Sequence, residues 1–270
     1  MSQRRFRSIF ISDVHLGLRD CQARYLLDFL RSTASERLYL VGDIIDFENM
    51  QRKPYWHADH SAVLGEIFAI ATRGTRVTYI PGNHDAELRR FVGQRFAGLE
   101  ILLDAVHIGA DGRRYQVSHG DEFDSELCVP AWLARVGDIM QRFVGALNRR
   151  GNDLLRRLGL NYQTISLAIK LRIGSARRFI EDFETRVADR ARARGFDGHI
   201  CGHIHRGRIR DDNGVLYIND GDWVENCTAL VEHHDGALEL LQWTEQRLSL
   251  AISPAVASVE LIPEELPAAA

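Results

Sequence analysis

The chain has 270 residues, 45% of them apolar, with 34 Lys/Arg against 37 Asp/Glu and a formal net charge of −3. That length can bury a substantial core without disulfides, and the scattered Cys21, Cys128, Cys201 and Cys227, with no CxxC pair, suggest neither a disulfide framework nor a zinc knuckle and fit a reducing, cytoplasmic setting best. The apolar run at 9–11 is too short for a signal peptide, and no segment reaches the roughly 20 uncharged apolar residues of a membrane span, so only peripheral membrane contact is expected.

In chain order, short apolar runs end in turn-forming or polar residues: 8–11 before Ser12-Asp13, 38–41 before Gly42-Asp43, and 77–80 before Pro81-Gly82-Asn83. Each reads as a buried strand. Helical patterns lie between them, with Tyr25, Leu26, Phe29 and Leu30 after a cap at Asp20, and Val63, Ile67, Ile70 and Ala71 after Ser61. Strand and helix alternate, so the first half is α/β.

Further strands are predicted at 115–118 before His119-Gly120, at 199–201 before Gly202-His203, and at 215–218 before Asn219-Asp220-Gly221. Ligand sites in open α/β sheets form outside the carboxyl ends of strands, so these loops should converge on one face. Residues 229–232 and 237–241, joined by His233-His234-Asp235-Gly236, read as a closing hairpin.

From Trp132 to Gly195 the grammar changes. Trp132, Val136, Ile139, Met140, Phe143 and Leu147 form one helical stripe, and Ala176, Phe179, Ile180, Phe183 and Val187 another. Residues 131–195 hold 14 Lys/Arg and 6 Asp/Glu, a balance of +8 that leaves −11 for the remainder. The expected organisation is a core of 1–130 and 196–248, a basic helical insertion at 131–195, and a loosely attached tail at 249–270, rich in Ala, Pro, Glu and Val.

Five polar motifs follow the predicted strands: Asp13-Val-His15, Gly42-Asp43-Ile-Ile-Asp46, Gly82-Asn83-His84-Asp85, His119-Gly120-Asp121 and Gly202-His203-Ile-His205. Singly each has a bland reading, because Asp-x-His can be a turn, Gly-Asn is a common hairpin corner, and a lone His is more often a satisfied core or surface residue. Together they resemble the calcineurin-like metallophosphoesterase superfamily, whose pattern is D-x-H, G-D-x-x-D, G-N-H-[DE], H and G-H-x-H in this order.

The resemblance implies layered β-sheets flanked by helices and a pair of divalent metal ions. Asp13, His15 and His205 would belong to the first ion, Asn83, His119 and His203 to the second, and Asp43 would bridge both. Carboxylate, carboxamide and imidazole ligands suit manganese, with iron or zinc as alternatives. Two such ions polarise phosphoryl oxygens and activate water for in-line attack without a covalent enzyme intermediate. In that family His84 is not a ligand; it sits over the phosphate as a charge stabiliser or proton donor, paired with Asp46 or Asp85. Asp46 is expected to support a ligand rather than to be one.

His57, His60, His107, His233 and His234 match no motif and are expected on the surface or in loops, whereas His199 and Cys201 are expected in the core. None of these receives a catalytic role.

Over roughly residues 6–245 the chain is similar to the pyrophosphatases of lipid A synthesis that act on UDP-2,3-diacylglucosamine, and to their close paralogues. The similarity rests on the His119-Gly-Asp-Glu-Phe-Asp run, the helical insertion after it, Gly202-His-Ile-His-Arg206 and Gly221-Asp222-Trp223. It implies a lipid-linked nucleotide-sugar substrate covered by the insertion as a lid. Arg149, Arg150, Arg156, Arg157, Lys170, Arg172, Arg177 and Arg178 would then meet phosphates or the anionic headgroups of the inner-membrane surface. The bland alternative is a hairpin of packed apolar faces and solvated arginines.

One position departs from that subfamily, whose best-known members carry Arg where this chain has His84. The guanidinium fork is absent, although positive charge can still be supplied. A soluble nucleotide or another phosphodiester is the rival substrate, and a metal-free interaction module is disfavoured because all seven ligand positions carry ligand-competent side chains. Nucleic acid is not an expected partner, since the basic residues lie among apolar helices without a binding motif.

Overall fold

The computed structural model describes residues 3–124 and 174–246. Its first part runs β1 (Arg4–Ile11), α1 (Ala23–Ser32), β2 (Thr33–Val41), α2 (Phe47–Arg52), α3 (Ala58–Thr72), β3 (Arg76–Ile80), β4 (Arg95–Phe96), β5 (Leu99–Ile101), β6 (Ala105–Ile108) and β7 (Arg114–Val117). Then come α4 (Gly174–Ala193), β8 (Gly198–Cys201), β9 (Arg208–Asp212), β10 (Val215–Asn219), β11 (Thr228–Glu232), β12 (Leu238–Gln242) and α5 (Trp243–Gln246). Turns of 3₁₀ helix span Ala86–Phe91 and Asp121–Phe123.

Strand alternation explains the layers. Successive side chains point to opposite faces, and in β1 and β2 both faces are apolar, as buried parallel strands require. Ile9, Ile11, Leu38 and Leu40 pack with Leu26 and Phe29 of α1 and Val63 and Ile67 of α3. Phe10, Tyr39 and Val41 turn the other way and meet Tyr115, Val117, Ile200 and Ile218. Those four belong to a second sheet, ordered β6-β7-β8-β10-β9, which lies against the first, ordered β12-β11-β1-β2-β3-β5-β4. On the outer face of the second sheet, Cys201 and Tyr217 pack against Phe183, Val187 and Ala188 of α4. The result is helix, sheet, sheet, helix, with mixed sheets whose parallel runs are β1-β2-β3-β5 and β7-β8-β10.

The second apolar stripe of the expected insertion is therefore the inner face of α4: Ile180, Phe183 and Val187 are buried. The first stripe at 132–147 and the tail beyond 249 lie outside the described residues. The expected closing hairpin is β11–β12, with Glu232 opposite Leu238 and the turn closed by His233 N–H on Ala237 O at 2.9 Å. Among the described residues no helix is long and apolar enough to cross a membrane.

Four local expectations are corrected. Helix α1 starts after Gln22 rather than at Asp20, because the Gln22 N–H is taken by Trp223 O at 2.8 Å and the helical ladder begins only beyond it. Helix α3 is capped by His57, whose Nδ1 accepts from Asp59 N–H at 3.2 Å, so it begins ahead of Ser61. His60 is buried, accepting from Gly17 N–H at 3.2 Å. His107 is buried too, facing Glu232 at 2.9 Å between the sheets while Val106 and Ile108 beside it are exposed. The apolar and polar residues of β6 thus face opposite to the usual rule, which hides its register from any reading that places apolar residues inside.

Candidate metal centre

The carboxyl ends of β1, β2, β3, β7 and β8 deliver the five motifs to one edge of the two sheets. The first two loops are laced by backbone: Asp13 N–H donates to Gly42 O at 3.1 Å, and Val14 and His15 both donate to Asp43 O at 2.9 Å. Asp13, His15, Asp43, His203 and His205 all adopt positive φ, at 48°, 51°, 53°, 71° and 52°. Non-glycine residues rarely occupy that region, and such strain persists where the surroundings over-determine it, commonly at functional sites. Here the surroundings include Asp85. Its buried carboxylate accepts from Gly82 N–H at 2.6 Å, Ile44 N–H at 2.9 Å and the Tyr79 hydroxyl at 2.5 Å, fixing the loop that carries Asp43.

Asp43 lies between two imidazoles, with Oδ2 3.3 Å from His119 Nε2 and 3.8 Å from His15 Nε2. Asp13 Oδ1 is 3.1 Å from His205 Nε2 and 3.9 Å from His15 Nε2. The His119 and His203 rings stand 5.2 Å apart, and His203 N–H donates to Asp13 Oδ2 at 2.8 Å. Three overlapping groups among the described residues could thus hold an ion: Asp13, His15 and His205; Asp13, Asp43 and His119; and, toward the edge, His15, Asp46 and His84.

The far nitrogens of the rings are engaged, which aims the near ones. His119 Nδ1 donates to Val41 O at 2.9 Å, His15 Nδ1 pairs with Asp46 Oδ2 at 3.2 Å, and His203 Nε2 pairs with Asp124 Oδ2 at 2.9 Å. Such outer contacts set tautomer and ring direction at metal sites. Left over are Asp13 Oδ1, His15 Nε2 and His119 Nε2, buried and without a hydrogen bond of adequate geometry. Each of these atoms faces an oppositely charged group at 3.1–3.9 Å rather than a well-formed hydrogen bond, an arrangement of donors that divalent cations fit.

The electrostatics agree. Burial alone would raise the Asp13 and Asp43 carboxyls, yet His205 and His119 beside Asp13, and His119, His15 and His84 around Asp43, hold both well below the usual carboxylate range. Burial opposes charge on His119, but Asp43 pushes its imidazole well above the ordinary value. A proton on His119 here balances Asp43, and metal binding at that ring would release it.

His84 stands at the edge, half-buried, with Nδ1 3.1 Å from Asp46 Oδ1 and its N–H on Asp43 Oδ1 at 2.8 Å. Its partner is Asp46, and Asp85 is turned inward. Burial opposes its charge, but the Asp46 bond and the charges of Asp43, Asp46 and Glu48 push it up to about 9. Asn83 is exposed in the same loop, where a Cβ on neighbouring Gly82 would lie 2.7 Å from His119 Nε2.

Arg177 and Arg178 are exposed on α4, with Arg177 paired to Glu181 at 2.8 Å. Arg149, Arg150, Arg156, Arg157, Lys170 and Arg172 lie outside the described residues. Sequence reasoning missed the parts of Asp124, Asp85 and Val41 O in this site; Asp124 closes the His119-Gly-Asp-Glu-Phe-Asp run, which was its one signal.

The family model for calcineurin-like phosphoesterases matches residues 6–207. A UDP-2,3-diacylglucosamine hydrolase of Neisseria meningitidis serogroup B is 29% identical over 251 residues, covering 85% of this chain and 95% of that protein. One from Xanthomonas campestris pv. campestris is 30% identical over 252 residues, covering 87% and 98%. Among solved structures, the E. coli phosphoesterase Yfce is similar at 13% identity and a TM-score of 0.41, covering 87% of this chain and 98% of that one, too distant to argue from. The chain belongs to the calcineurin-like phosphoesterase family and is a metal-dependent hydrolase.

Proposed function

We propose that the chain hydrolyses the pyrophosphate of UDP-2,3-diacylglucosamine to UMP and 2,3-diacylglucosamine 1-phosphate with two divalent ions, manganese by preference. The observation that carries the metal reading is the convergence of the orphaned atoms of Asp13, His15 and His119 around Asp43. Asp13, His15 and His205 would hold one ion, Asn83, His119 and His203 the other, and Asp43 both. When bound, the ions supply Lewis-acid charge to the phosphoryl oxygens and activate a water. The identity of 29–30% to hydrolases of that name over 85–87% of the chain supports the substrate.

The chain's own groups divide the remaining tasks. Asp46 holds His15 and His84 in place at once. His84, pushed up to about 9, is charged at neutral pH and stabilises the charge of the phosphoryl oxygens. A pyrophosphate leaving group is itself an acidic phosphate, so it needs this charge more than a proton. Arg149, Arg150, Arg156, Arg157, Lys170, Arg172, Arg177 and Arg178 would face the phosphates and an anionic membrane surface on its cytoplasmic side, with the part of the insertion ahead of α4 covering the acyl chains.

A side-by-side assay of UDP-2,3-diacylglucosamine, UDP-N-acetylglucosamine, a dinucleoside tetraphosphate and a bis-aryl phosphodiester with manganese tests this. Preference for the diacylated substrate is expected. Preference for the dinucleoside tetraphosphate would contradict the lipid assignment and leave a two-metal phosphoesterase of soluble nucleotides.

A further inference from the structure

We propose that Ser12 and Asp220 form a relay that holds Asp13 so that one oxygen, Oδ1, is offered to a metal ion. The inference rests on the metal reading of the site and adds two residues that act on it through Asp13.

The geometry is specific. Ser12 Oγ lies 2.6 Å from Asp13 Oδ2, 2.5 Å from Asp220 Oδ1 and 3.2 Å from Gly221 O. A hydroxyl has one hydrogen and can also accept. Asp13 Oδ2 is charged and buried, so the Ser12 hydrogen belongs on it, where it joins the His203 N–H at 2.8 Å. Asp220 Oδ1 lies 2.5 Å from the same hydroxyl oxygen; with the single hydroxyl hydrogen on Asp13, that short contact calls for a proton on Asp220, and the relay then runs Asp220 to Ser12 to Asp13. With Oδ2 held by two donors, Oδ1 is the oxygen left without a hydrogen bond, 3.1 Å from His205 Nε2.

The surroundings are built to this contact. Ser12, Asp13 and Asp220 are all buried. A Cβ on Gly202 would lie 2.6 Å from Ser12 Cβ, so only glycine lets the His203 loop approach. Asn219 Nδ2 donates to Gly202 O at 2.5 Å and its Oδ1 accepts from Gly221 N–H at 3.0 Å, which binds the loop carrying Asp220 to the loop carrying His203. A hydroxyl that served only to fill space would not be set between two buried carboxyls.

Both are positioning residues, so the test reads the metal rather than turnover. Co2+ is titrated into the full chain and its variants, with affinity from calorimetry and ligand geometry from visible absorption. Ser12→Ala and Asp220→Ala should each weaken one of the two ions by about 10–100-fold and change the absorption spectrum. Asp220→Asn, whose amide can still donate to Ser12 Oγ, should restore the affinity and spectrum of the unsubstituted chain. If Asp220→Ala does not fold, Ser12→Ala against Asp220→Asn makes the same comparison. Two ions bound by the unsubstituted chain and unchanged in Ser12→Ala overturn the positioning role alone, as does an Asp220→Asn variant that falls as far as Asp220→Ala. An unsubstituted chain that takes up no ion overturns the metal reading beneath it as well.

Discussion

His84 differs from its neighbours in the cluster: its ring pairs with Asp46 and is half-exposed, whereas His15, His119 and His205 are buried. His84→Ala is therefore expected to keep both ions by metal analysis while losing about 10²–10⁴-fold in turnover, the range of one positioned acid or charge. Loss of an ion in that variant would instead make His84 a ligand. The convergence of Asp13, His15, Asp43, His119 and His205 was legible in the sequence because each sits in a short motif just after a strand. Ser12 and Asp220 were legible only as polar residues at strand ends; their contact across 208 positions was not. Asp85 was legible as a motif member, but its inward turn onto the Asp43 loop depends on Tyr79 and on the path of the backbone.

Among the elements, α4 has two connections. Phe183 is fully buried against Phe123, Cys201 and Tyr217, and its ring lies 6.0 Å from that of His203. Phe183→Ala should cost about 3–5 kcal/mol in denaturant unfolding, as for a large aromatic removed from a packed core; a change near zero would mean that α4 is not part of the core. It follows that a deletion testing the insertion must spare this helix. Replacing residues 131–172 with a Gly/Ser linker should lower turnover of the diacylated substrate far more than that of a bis-aryl phosphodiester, because remote acyl contacts position only the former. Equal losses would remove the lid role. The stripe in α4 was readable from its period, as were the long apolar strands. Strands β4 and β5 were not, being short, nor β9, whose Arg208–Asp212 run is mostly charged, nor β6, which carries apolar residues outward and His107 inward.

Across the whole molecule the two sheets are joined not only by apolar packing but by a buried acid. Glu232 on β11 accepts from His107 on β6 at 2.9 Å, from Arg7 on β1 at 2.7 Å and from Ala110 N–H at 2.7 Å. Burial alone would raise its carboxyl, yet the His107 and Ala110 bonds hold it down to about 2. A carboxyl depressed on folding contributes stability above its unfolded value of about 4.3, and that contribution disappears as pH falls from there toward 2. Thermal melts should show Glu232→Gln less stable than the unsubstituted chain at neutral pH, with the gap closing over that window; a gap independent of pH would contradict the linkage. The layered fold that this acid helps to join exists, on our account, to bring two sets of strand ends around Asp43. Metal content and hydrolysis measured together on Asp43→Ala and His119→Ala test that claim most directly: each variant should lose bound metal and all measurable phosphodiesterase activity, and either one retaining two ions with full activity would contradict the assignment.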